Sequence, residues 1–373
     1  MSRRRLFGLL SAALLLFALA NWRWLEAGLL LADIAGRGGA LPGWLRTPAL
    51  RQEAAFPELP ADLYRPTRPR AALVLVPGVS PQGKDDPLLV AFAHALALAG
   101  FAVAVPDLPD LRQTRISVAD RLPIAATAIA LLNRPDLAPE ARVGIVAFSY
   151  AVGPAVLAAL QPELAGRLPL LLLIGGYYSL DRLVGWYTTG VDGDATVTPA
   201  AWSKWFFLLT NAHRIENPFD AQSLRVMAHR RLRDETASID DLLIHLTSSG
   251  RAVAELLLNR SPERVPALLA ALPGPMLAEL HALDLARADL AGLHARLLLV
   301  HGRKDAIVPV THALALAEAA PHAELFLIDS LRHVDPAFDP ADLLSLWRVA
   351  YRLLAWRDGA LPSPAASDQA RPP

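Results

Sequence analysis

Short apolar runs separated by helical segments restrict this chain to a small group of folds. Each run has four to six residues, nearly all apolar, which is typical of strands buried on both faces of a sheet. The runs are Ala72–Val76, Phe101–Val105, Val143–Ala147, Leu170–Ile174, Ala295–Val300 and Leu325–Ile328. The helical segments are Leu88–Ala99, Val118–Asn133, Thr311–Ala320 and Pro340–Trp356. Strands that alternate with helices predict an α/β fold with a mostly parallel sheet, right-handed crossovers and helices on both faces.

One long segment interrupts this alternation. From Tyr177 to about Leu293 no buried strand is evident, and tryptophan and phenylalanine residues cluster there beside charged helical stretches. We expect residues 177–293 to be a helical cap inserted over the sheet edge. The predicted globular domain is 46–373, with a disordered tail at about 359–373 that is rich in proline, alanine and serine.

The composition excludes several classes of function. Lysine plus arginine and aspartate plus glutamate each number 36, so the formal net charge is zero and nothing indicates a nucleic-acid partner. The chain has no cysteine, which excludes disulfides, thiolate metal sites and cysteine nucleophiles. With 53% hydrophobic residues, the 373-residue chain can bury a large core.

The amino terminus has the pattern of an export signal. Three arginines precede Leu6–Ala20, a run without charge. Trp22 and Trp24 resemble interfacial anchors, and Leu25–Ile34 continues as a mostly apolar helix able to lie on a membrane. We therefore expect residues 1–45 to form an uncleaved signal anchor and membrane-proximal segment, with the domain outside the cytoplasm. The alternative is cleavage after Ala20, giving a soluble periplasmic or secreted protein.

The region between this segment and the first buried strand has little periodicity. Residues 36–60 are rich in glycine and proline, which predicts a linker. Leu63–Pro66 is predicted as an early strand.

Ser149 lies where a predicted strand turns into a predicted helix. The strand ends at Ala147, and Ala155–Leu160, which is small and apolar, is predicted as a helix. A serine at the apex of a sharp strand-to-helix turn is the geometry of a nucleophile elbow. Ala147 and Ala151 are small enough for the close approach of the two backbones. The same stretch also fits an ordinary helix start with a serine near its cap.

A serine hydroxyl is a weak nucleophile and needs a base that is itself oriented by a carboxylate. Asp305 and His333 each follow a predicted strand. With Ser149 they are expected at the carboxyl edge of the sheet, where sites form in open parallel sheets. Other acidic residues compete for the carboxylate role, and His301 is expected to pack beneath the acid loop. The competitors are Asp181, Asp329 and Asp335.

The chain order Ser149, Asp305, His333 resembles that of the α/β-hydrolase superfamily, in which nucleophile, acid and histidine follow one another. Residues 301–309, which read His-Gly-Arg-Lys-Asp-Ala-Ile-Val-Pro, are similar to that family's H-G-x-x-D-x-x-V-P acid loop. The resemblance runs from about residue 63 to 356 and looks closest to esterase-like and dienelactone-hydrolase-like members. It departs from the family at Ala147 and Ala151, which stand where the elbow usually has glycine.

The resemblance also implies where the oxyanion and the substrate bind. The two backbone N–H donors of an oxyanion hole would be those of Tyr150, directly after the nucleophile, and Val79, in the loop after the first buried strand. Tyr177 and Tyr178, at the root of the cap, are candidates to line an apolar acyl or alcohol pocket. Equally, the cap aromatics can simply hold the cap to the sheet.

Together these patterns predict a serine hydrolase that cleaves a small-molecule carboxylic ester through an acyl-enzyme, with no metal or organic cofactor. A peptidase, thioesterase or acyltransferase would use the same triad. A membrane-tethered binding protein of the same fold, without catalytic activity, is the alternative from a different class.

Overall fold

Eight strands form the central sheet of the protein. The computed structural model describes residues 21–37, 48–56, 59–334 and 339–361. The strands are β1 (Ala49–Phe56), β2 (Leu59–Pro66), β3 (Ala71–Val76), β4 (Phe101–Pro106), β5 (Val143–Phe148), β6 (Leu170–Ile174), β7 (Arg296–Gly302) and β8 (Ala323–Ile328). Their order across the sheet is β1-β2-β4-β3-β5-β6-β7-β8.

The sheet is antiparallel at one edge and parallel elsewhere. β1 pairs antiparallel with β2, and β2 pairs antiparallel with β4. From β4 onward every neighbouring pair is parallel. The carboxyl ends of β3, β5, β7 and β8 therefore meet at one edge of the sheet. This confirms the predicted mostly parallel sheet.

Helices connect the strands and form the layers on both faces. They are α1 (Trp22–Ile34), α2 (Pro87–Leu98), α3 (Pro109–Arg112), α4 (Arg121–Leu132), α5 (Val152–Ala159), α6 (Leu180–Thr189), α7 (Ser203–Asn211), α8 (Pro218–Arg233), α9 (Asp240–Leu243), α10 (Ser248–Leu258), α11 (Val265–Ala270), α12 (Gly274–Leu283), α13 (Val310–Ala319) and α14 (Leu343–Arg357). The segment between β6 and β7 holds α6 to α12, so it is helical, as predicted.

Each face of the sheet has its own hydrophobic core, because successive side chains of a strand point to opposite faces. Along β5, Ile145 and Ala147 join a core formed with α4, α5 and the helical insertion. Val146 and Phe148 point the other way, into a core formed with α1, α2 and α14. The buried strands are apolar on both sides, which explains their continuous apolar sequences.

The predicted linker over residues 36–60 is wrong in part, because Ala49–Phe56 is β1. This strand pairs along its whole length with β2, from Ala49 opposite Pro66 to Phe56 opposite Leu59. It lies at the sheet edge, and Arg51, Gln52 and Glu53 interrupt its apolar residues, so it lacks the continuous apolar pattern of the inner strands. Pairing with β2 makes it a strand, and β2 begins earlier than the predicted Leu63.

Helix α1 packs against α14 and α2 on the globular domain. The ring of Trp24 stacks on Tyr351 with 4.6 Å between centroids, and Trp347 Nε1 donates a hydrogen bond of 2.7 Å to the Trp24 carbonyl oxygen. Arg357, which is buried, donates to Glu26 at 2.7 Å. The predicted helix is present; Trp24 is half-buried against α14, and Trp22 is exposed.

The export signal predicted over Leu6–Ala20 lies outside the described residues, as does the tail from residue 362. Among the helices of the described ranges, none is by itself long and apolar enough to cross a membrane. Pro262–Ala270 and Gly274–Leu283 meet that criterion as a pair, with a bend of 114° at their break.

Candidate active site

Ser149 lies in a strained turn at the carboxyl end of β5. Residues 149–151 form a single turn of 3₁₀ helix that leads into α5. The φ angle of Ser149 is 53°, in the left-handed region that residues other than glycine rarely adopt. Such strain persists where the surrounding structure imposes it, and it is common at active sites. The turn therefore has the geometry of a nucleophile elbow.

The alanines that replace the usual glycines are compatible with this turn. Ala151 has ordinary helical angles, φ −63° and ψ −11°, so its position does not require glycine. Ala147 is fully buried in a regular strand. Glycine is required instead at Gly153, where an added Cβ would lie 1.8 Å from the Tyr177 hydroxyl.

Ser149, His333 and Asp305 form one hydrogen-bonded chain. Ser149 Oγ lies 2.6 Å from His333 Nε2, and His333 Nδ1 lies 2.9 Å from Asp305 Oδ2. A carboxylate accepts hydrogen bonds, so Nδ1 carries the proton and donates to Asp305. Nε2 is then free to accept the serine proton. The three residues come from the loops after β5, β7 and β8, as the sequence predicts.

Asp305 is fully buried, and its carboxylate is fully occupied. Oδ1 accepts hydrogen bonds from the backbone N–H groups of Ile307 (2.7 Å) and Val308 (3.0 Å), while Oδ2 faces His333. Burial by itself would raise the pKa of Asp305, but the hydrogen bond and charge of His333 outweigh burial and lower it. Asp305 is therefore ionised and held in one orientation.

His301 lies under the acid loop, as expected. Its Nε2 donates a hydrogen bond of 2.8 Å to the Val308 carbonyl oxygen. Burial lowers the pKa of His301, so the ring is neutral. It braces the loop that holds Asp305.

Two residues that the sequence analysis did not single out position the His333 loop. A Cβ at Gly302 would lie 1.9 Å from the Leu331 carbonyl oxygen, so only glycine lets this loop pass over the end of β7. Asp342 accepts hydrogen bonds from the backbone N–H groups of Asp329 (3.0 Å) and Ser330 (2.6 Å). A glycine two residues after a predicted strand is a weak sequence signal for such a close approach, and Asp342 gives none.

The helical insertion contacts the acid loop directly. The Tyr187 hydroxyl of α6 donates a hydrogen bond of 2.9 Å to the Ile307 carbonyl oxygen. The backbone N–H of Ala200 donates to the Ala306 carbonyl oxygen at 2.8 Å. The insertion thus forms part of the surroundings of Asp305.

The loop after β3 lies against Ser149. A Cβ added at Gly78 would be 3.6 Å from Ser149 Cβ, so the backbone at Gly78 runs next to the serine. Val79 follows Gly78, and Tyr150 follows Ser149. Both predicted oxyanion donors therefore belong to backbone segments that adjoin Ser149.

The interpretation of Tyr177 as a substrate-binding residue is wrong. Tyr177 is 1% exposed, and its hydroxyl donates a hydrogen bond of 3.0 Å to the Leu283 carbonyl oxygen at the end of α12. Its ring stacks on Tyr150 with 6.1 Å between centroids. Close packing across Gly153 places Tyr177 in the core instead of in a pocket.

Tyr178 is partly buried and packs against the core of the insertion. Its backbone N–H donates a hydrogen bond of 3.1 Å to Nδ1 of His312, a buried residue of α13. Trp186 and Trp205 are buried in the same core. For these aromatic residues the structure favours the alternative in which they hold the insertion to the sheet.

The competing acidic residues are engaged elsewhere. Asp181 accepts a hydrogen bond of 2.8 Å from Arg287, and Asp329 pairs with Arg303 at 3.1 Å on the surface. Asp335 lies outside the described residues. Within the described ranges, no group of three or more histidine, aspartate or glutamate residues is placed to hold a metal ion.

No protein-family model and no curated protein sequence matches this chain. Solved structures resemble it at low identity. An α/β-hydrolase fold protein from Nakamurella multipartita is 20% identical, with a TM-score of 0.41, over 83% of this chain and all (100%) of its own. A serine hydrolase from Cycloclasticus zankles is 14% identical, with a TM-score of 0.44, over 84% of this chain and 100% of its own. Dipeptidyl peptidase 4 from Porphyromonas gingivalis is 14% identical, with a TM-score of 0.45, over 83% of this chain, which spans 35% of that protein.

The fold of the chain is the α/β-hydrolase fold. The strand order, the parallel strands from β3 to β8 and the strained turn after β5 define it in this chain itself. The fold predicted from the sequence is confirmed.

Proposed function

We propose that the protein is a hydrolase that cleaves a carboxylic ester of a small molecule, with Ser149 as nucleophile. The observation that carries the proposal is the unbroken hydrogen-bonded chain from Ser149 Oγ through the His333 ring to Asp305. A structural serine does not need a base at 2.6 Å and a strained φ angle. A nucleophile needs the base, and the elbow is where such serines are displayed.

The reaction would proceed in two halves. Ser149 Oγ bonds to the ester carbonyl carbon while His333 Nε2 takes the serine proton, and the carbonyl oxygen becomes an oxyanion. The backbone N–H groups of Val79 and Tyr150 would stabilise that charge. His333 returns the proton to the departing alcohol, which leaves an acyl-enzyme. Water then repeats the sequence, and the acid is released with Ser149 restored.

Labelling with a fluorophosphonate probe tests the role of the serine. We expect the native protein to be labelled and Ser149→Ala to remain unlabelled. Ser248→Ala, at an exposed position in the insertion, is the matched control and should be labelled like the native protein. A native protein that folds but takes no label would favour the alternative, a binding protein of this fold.

A substrate comparison tests the bond that is cleaved. We expect p-nitrophenyl esters to be hydrolysed faster than aminoacyl amides or acyl thioesters. A preference for amides would identify a peptidase, and a preference for thioesters a thioesterase. Transfer of the acyl group to an added alcohol in preference to water would identify an acyltransferase.

We also propose that the chain is exported and tethered to a membrane by its amino-terminal segment. The three arginines before Leu6–Ala20 support this proposal. Mass spectrometry of the mature protein from membranes should find Met1 or Ser2 as the first residue. Asn21 as the first residue would instead show cleavage after Ala20.

A further inference from the structure

A cavity of about 320 Å³ lies between the sheet and the layer formed by α1, α2 and α14. Its walls come from these helices, from the loop after β3, and from the carboxyl halves of β5 to β8 and the loop after them. The described residues that line it are Leu30, Leu31, Ile34, Pro77, Gly78, Val79, Ser80, Asp86, Leu88, Leu89, Ala91, Phe92, Leu96, Phe148, Leu172, Ile174, Val300, Ile328, Leu331, Val334, Leu346, Val349, Ala350 and Leu353. Its volume is at the lower end of the range of ligand sites.

The cavity begins beside the nucleophile. Phe148 and Val334, which are the chain neighbours of Ser149 and His333, both line it. So do Gly78 and Val79, whose loop runs against the serine. A group attached to a carbonyl carbon at Ser149 therefore has this cavity next to it.

The cavity extends down the face of the sheet. Ile174, at the end of β6, and Leu172, two residues before it, both line the cavity, so they point to the same face. Two residues of a strand span about 7 Å. At this depth the lining side chains are buried: Leu172 and Leu353 are each 2% exposed. Leu88, near the surface, is 67% exposed. The cavity thus runs from exposed residues of α2 to buried residues of the sheet.

The side chains that line the cavity favour a hydrocarbon ligand. Ser80 and Asp86 are the polar side chains among the described lining residues, and their polar atoms are already used. Ser80 donates a hydrogen bond of 3.0 Å to Asp86 Oδ2, and Asp86 Oδ1 accepts from the backbone N–H groups of Leu88 (3.0 Å) and Leu89 (3.4 Å). The described lining residues include no cation, and the Asp86 carboxylate already accepts three hydrogen bonds, so a ligand would fill the cavity with apolar groups.

Helix α1 keeps the cavity open. Protein interiors are normally close-packed, and a void of this size would be expected to collapse if its walls were free to move. Leu30, Leu31 and Ile34 of α1 form one wall. The Trp24 stack and the ion pair of Glu26 with Arg357 fix the helix in its position.

We propose that this cavity binds the unbranched acyl chain of the substrate, which makes the protein an esterase for medium-chain acyl esters. This proposal rests on the proposed function of Ser149. The loop of Gly78 and Val79, on which the carbonyl oxygen would lie, lines the cavity, and the comparison of acyl chains with alcohol chains tests which side of the ester fills it. At about 30 Å³ per group of the size of water or a methylene, the volume holds roughly ten carbons.

Chain-length profiles test the assignment. With p-nitrophenyl esters from acetate to palmitate, we expect kcat/KM to rise by up to about fourfold for each methylene that enters the cavity. The maximum should fall near decanoate. Varying the alcohol chain of acetate esters should have a much weaker effect. A profile that follows the alcohol chain, or one that is flat for the acyl chain, would overturn the assignment.

Ala91→Trp narrows the cavity from an exposed position in the middle of α2. The matched control is Ala126→Trp, an exposed position in α4 on the opposite face of the sheet. We expect Ala91→Trp to lower kcat/KM for the decanoate ester by about tenfold or more, because several methylenes lose their place, and to leave the acetate ester within about twofold. Ala126→Trp should match the native protein for both esters. An unchanged profile in folded Ala91→Trp would refute the proposal.

A binding measurement separates this proposal from the proposed function. In Ser149→Ala, decanoate should displace a fluorescent fatty acid, and acetate should not. Adding Ala91→Trp should abolish this displacement. Decanoate binding in a protein that hydrolyses no ester would retain the acyl site and refute the hydrolase. Ester hydrolysis without decanoate binding would retain the hydrolase and refute the acyl site.

Discussion

Replacing Asp305 with asparagine should disable the site while leaving its shape intact. In the native protein Oδ1 faces two backbone N–H donors, those of Ile307 and Val308, and Oδ2 faces His333 Nδ1. The asparagine must turn its oxygen to the two donors, because an NH₂ group there would meet N–H groups. Its NH₂ group then faces Nδ1. The imidazole is forced to carry its proton on Nε2, against the Ser149 hydroxyl.

The size of the effect follows from the tautomer. With a proton already on Nε2, His333 cannot take the proton of Ser149 at the 2.6 Å contact. For triads of this kind the wrong tautomer lowers kcat by about 10⁴-fold, which is about 5.5 kcal/mol in the barrier. We expect Asp305→Asn to show a loss of this order.

Initial rates with p-nitrophenyl butyrate at neutral pH measure this loss. Asp329→Asn is the matched control, since Asp329 is a nearby aspartate that is 65% exposed and pairs with Arg303 on the surface. An exposed pair contributes little, so this control should keep at least about half of the native rate. A folded Asp305→Asn protein with more than about a tenth of native kcat would refute the tautomer argument.

The same variant should also change how stability depends on pH. The folded pKa of Asp305 is lowered. Its stabilising contribution is therefore present above the unfolded pKa of about 4 and is lost as the pH falls through the lower folded pKa. Thermal unfolding curves of native protein and Asp305→Asn should converge in acid. A gap that widened there would contradict this reasoning.

Three further variants test other parts of the structure. Gly302→Ala should lower kcat/KM by about 10²-fold, because the new methyl group would clash with the Leu331 carbonyl and displace the His333 loop. A variant with native rates would show that the loop can shift freely. Burial is the largest cause, and repulsion from a nearby carboxylate the second, that raises the pKa of Asp120 to about 7. Its Oδ2 has no hydrogen-bond partner among the described residues. Native stability should therefore fall by on the order of 4 kcal/mol as pH rises from about 4 through 7, and Asp120→Asn should remove that slope in thermal unfolding; an identical slope in the variant would show that Asp120 is not its source. Leu30→Ala should lower the free energy of unfolding by about 2 to 3 kcal/mol, near the low end for a buried leucine because it borders a cavity, whereas Leu25→Ala on the exposed side of α1 should change it by less than about 0.5 kcal/mol; equal effects in denaturant titrations would argue against the docked helix.

The resemblance at residues 301–309 and the order of Ser149, Asp305 and His333 were sufficient to predict the fold. The inner strands were also predictable, because burial on both faces demands continuous apolar sequence. The same parallel arrangement brings the ends of β5, β7 and β8 to one edge. These inferences depend on local pattern and on general rules of connectivity, both of which a single sequence contains.

Features that depend on partners distant in the chain were not predictable. Strand β1 has Arg51, Gln52 and Glu53 in its middle instead of a continuous apolar run, and it is a strand because it pairs with β2. Tyr177 had the position of a pocket residue, yet its hydroxyl bonds to Leu283, more than a hundred residues away.

The amino-terminal helix and the cavity show most clearly the difference between what the sequence predicts and what it does not. The sequence of α1 indicates an apolar helix and not what covers it. Its docking on α14 and α2 converts Leu30, Leu31 and Ile34 into the wall of a cavity next to Ser149. The sequence by itself determined which serine, aspartate and histidine could act together and the edge of the sheet where they meet. The tertiary structure decided the shape of the space next to them, because a cavity is defined by packing between elements that are remote in the chain.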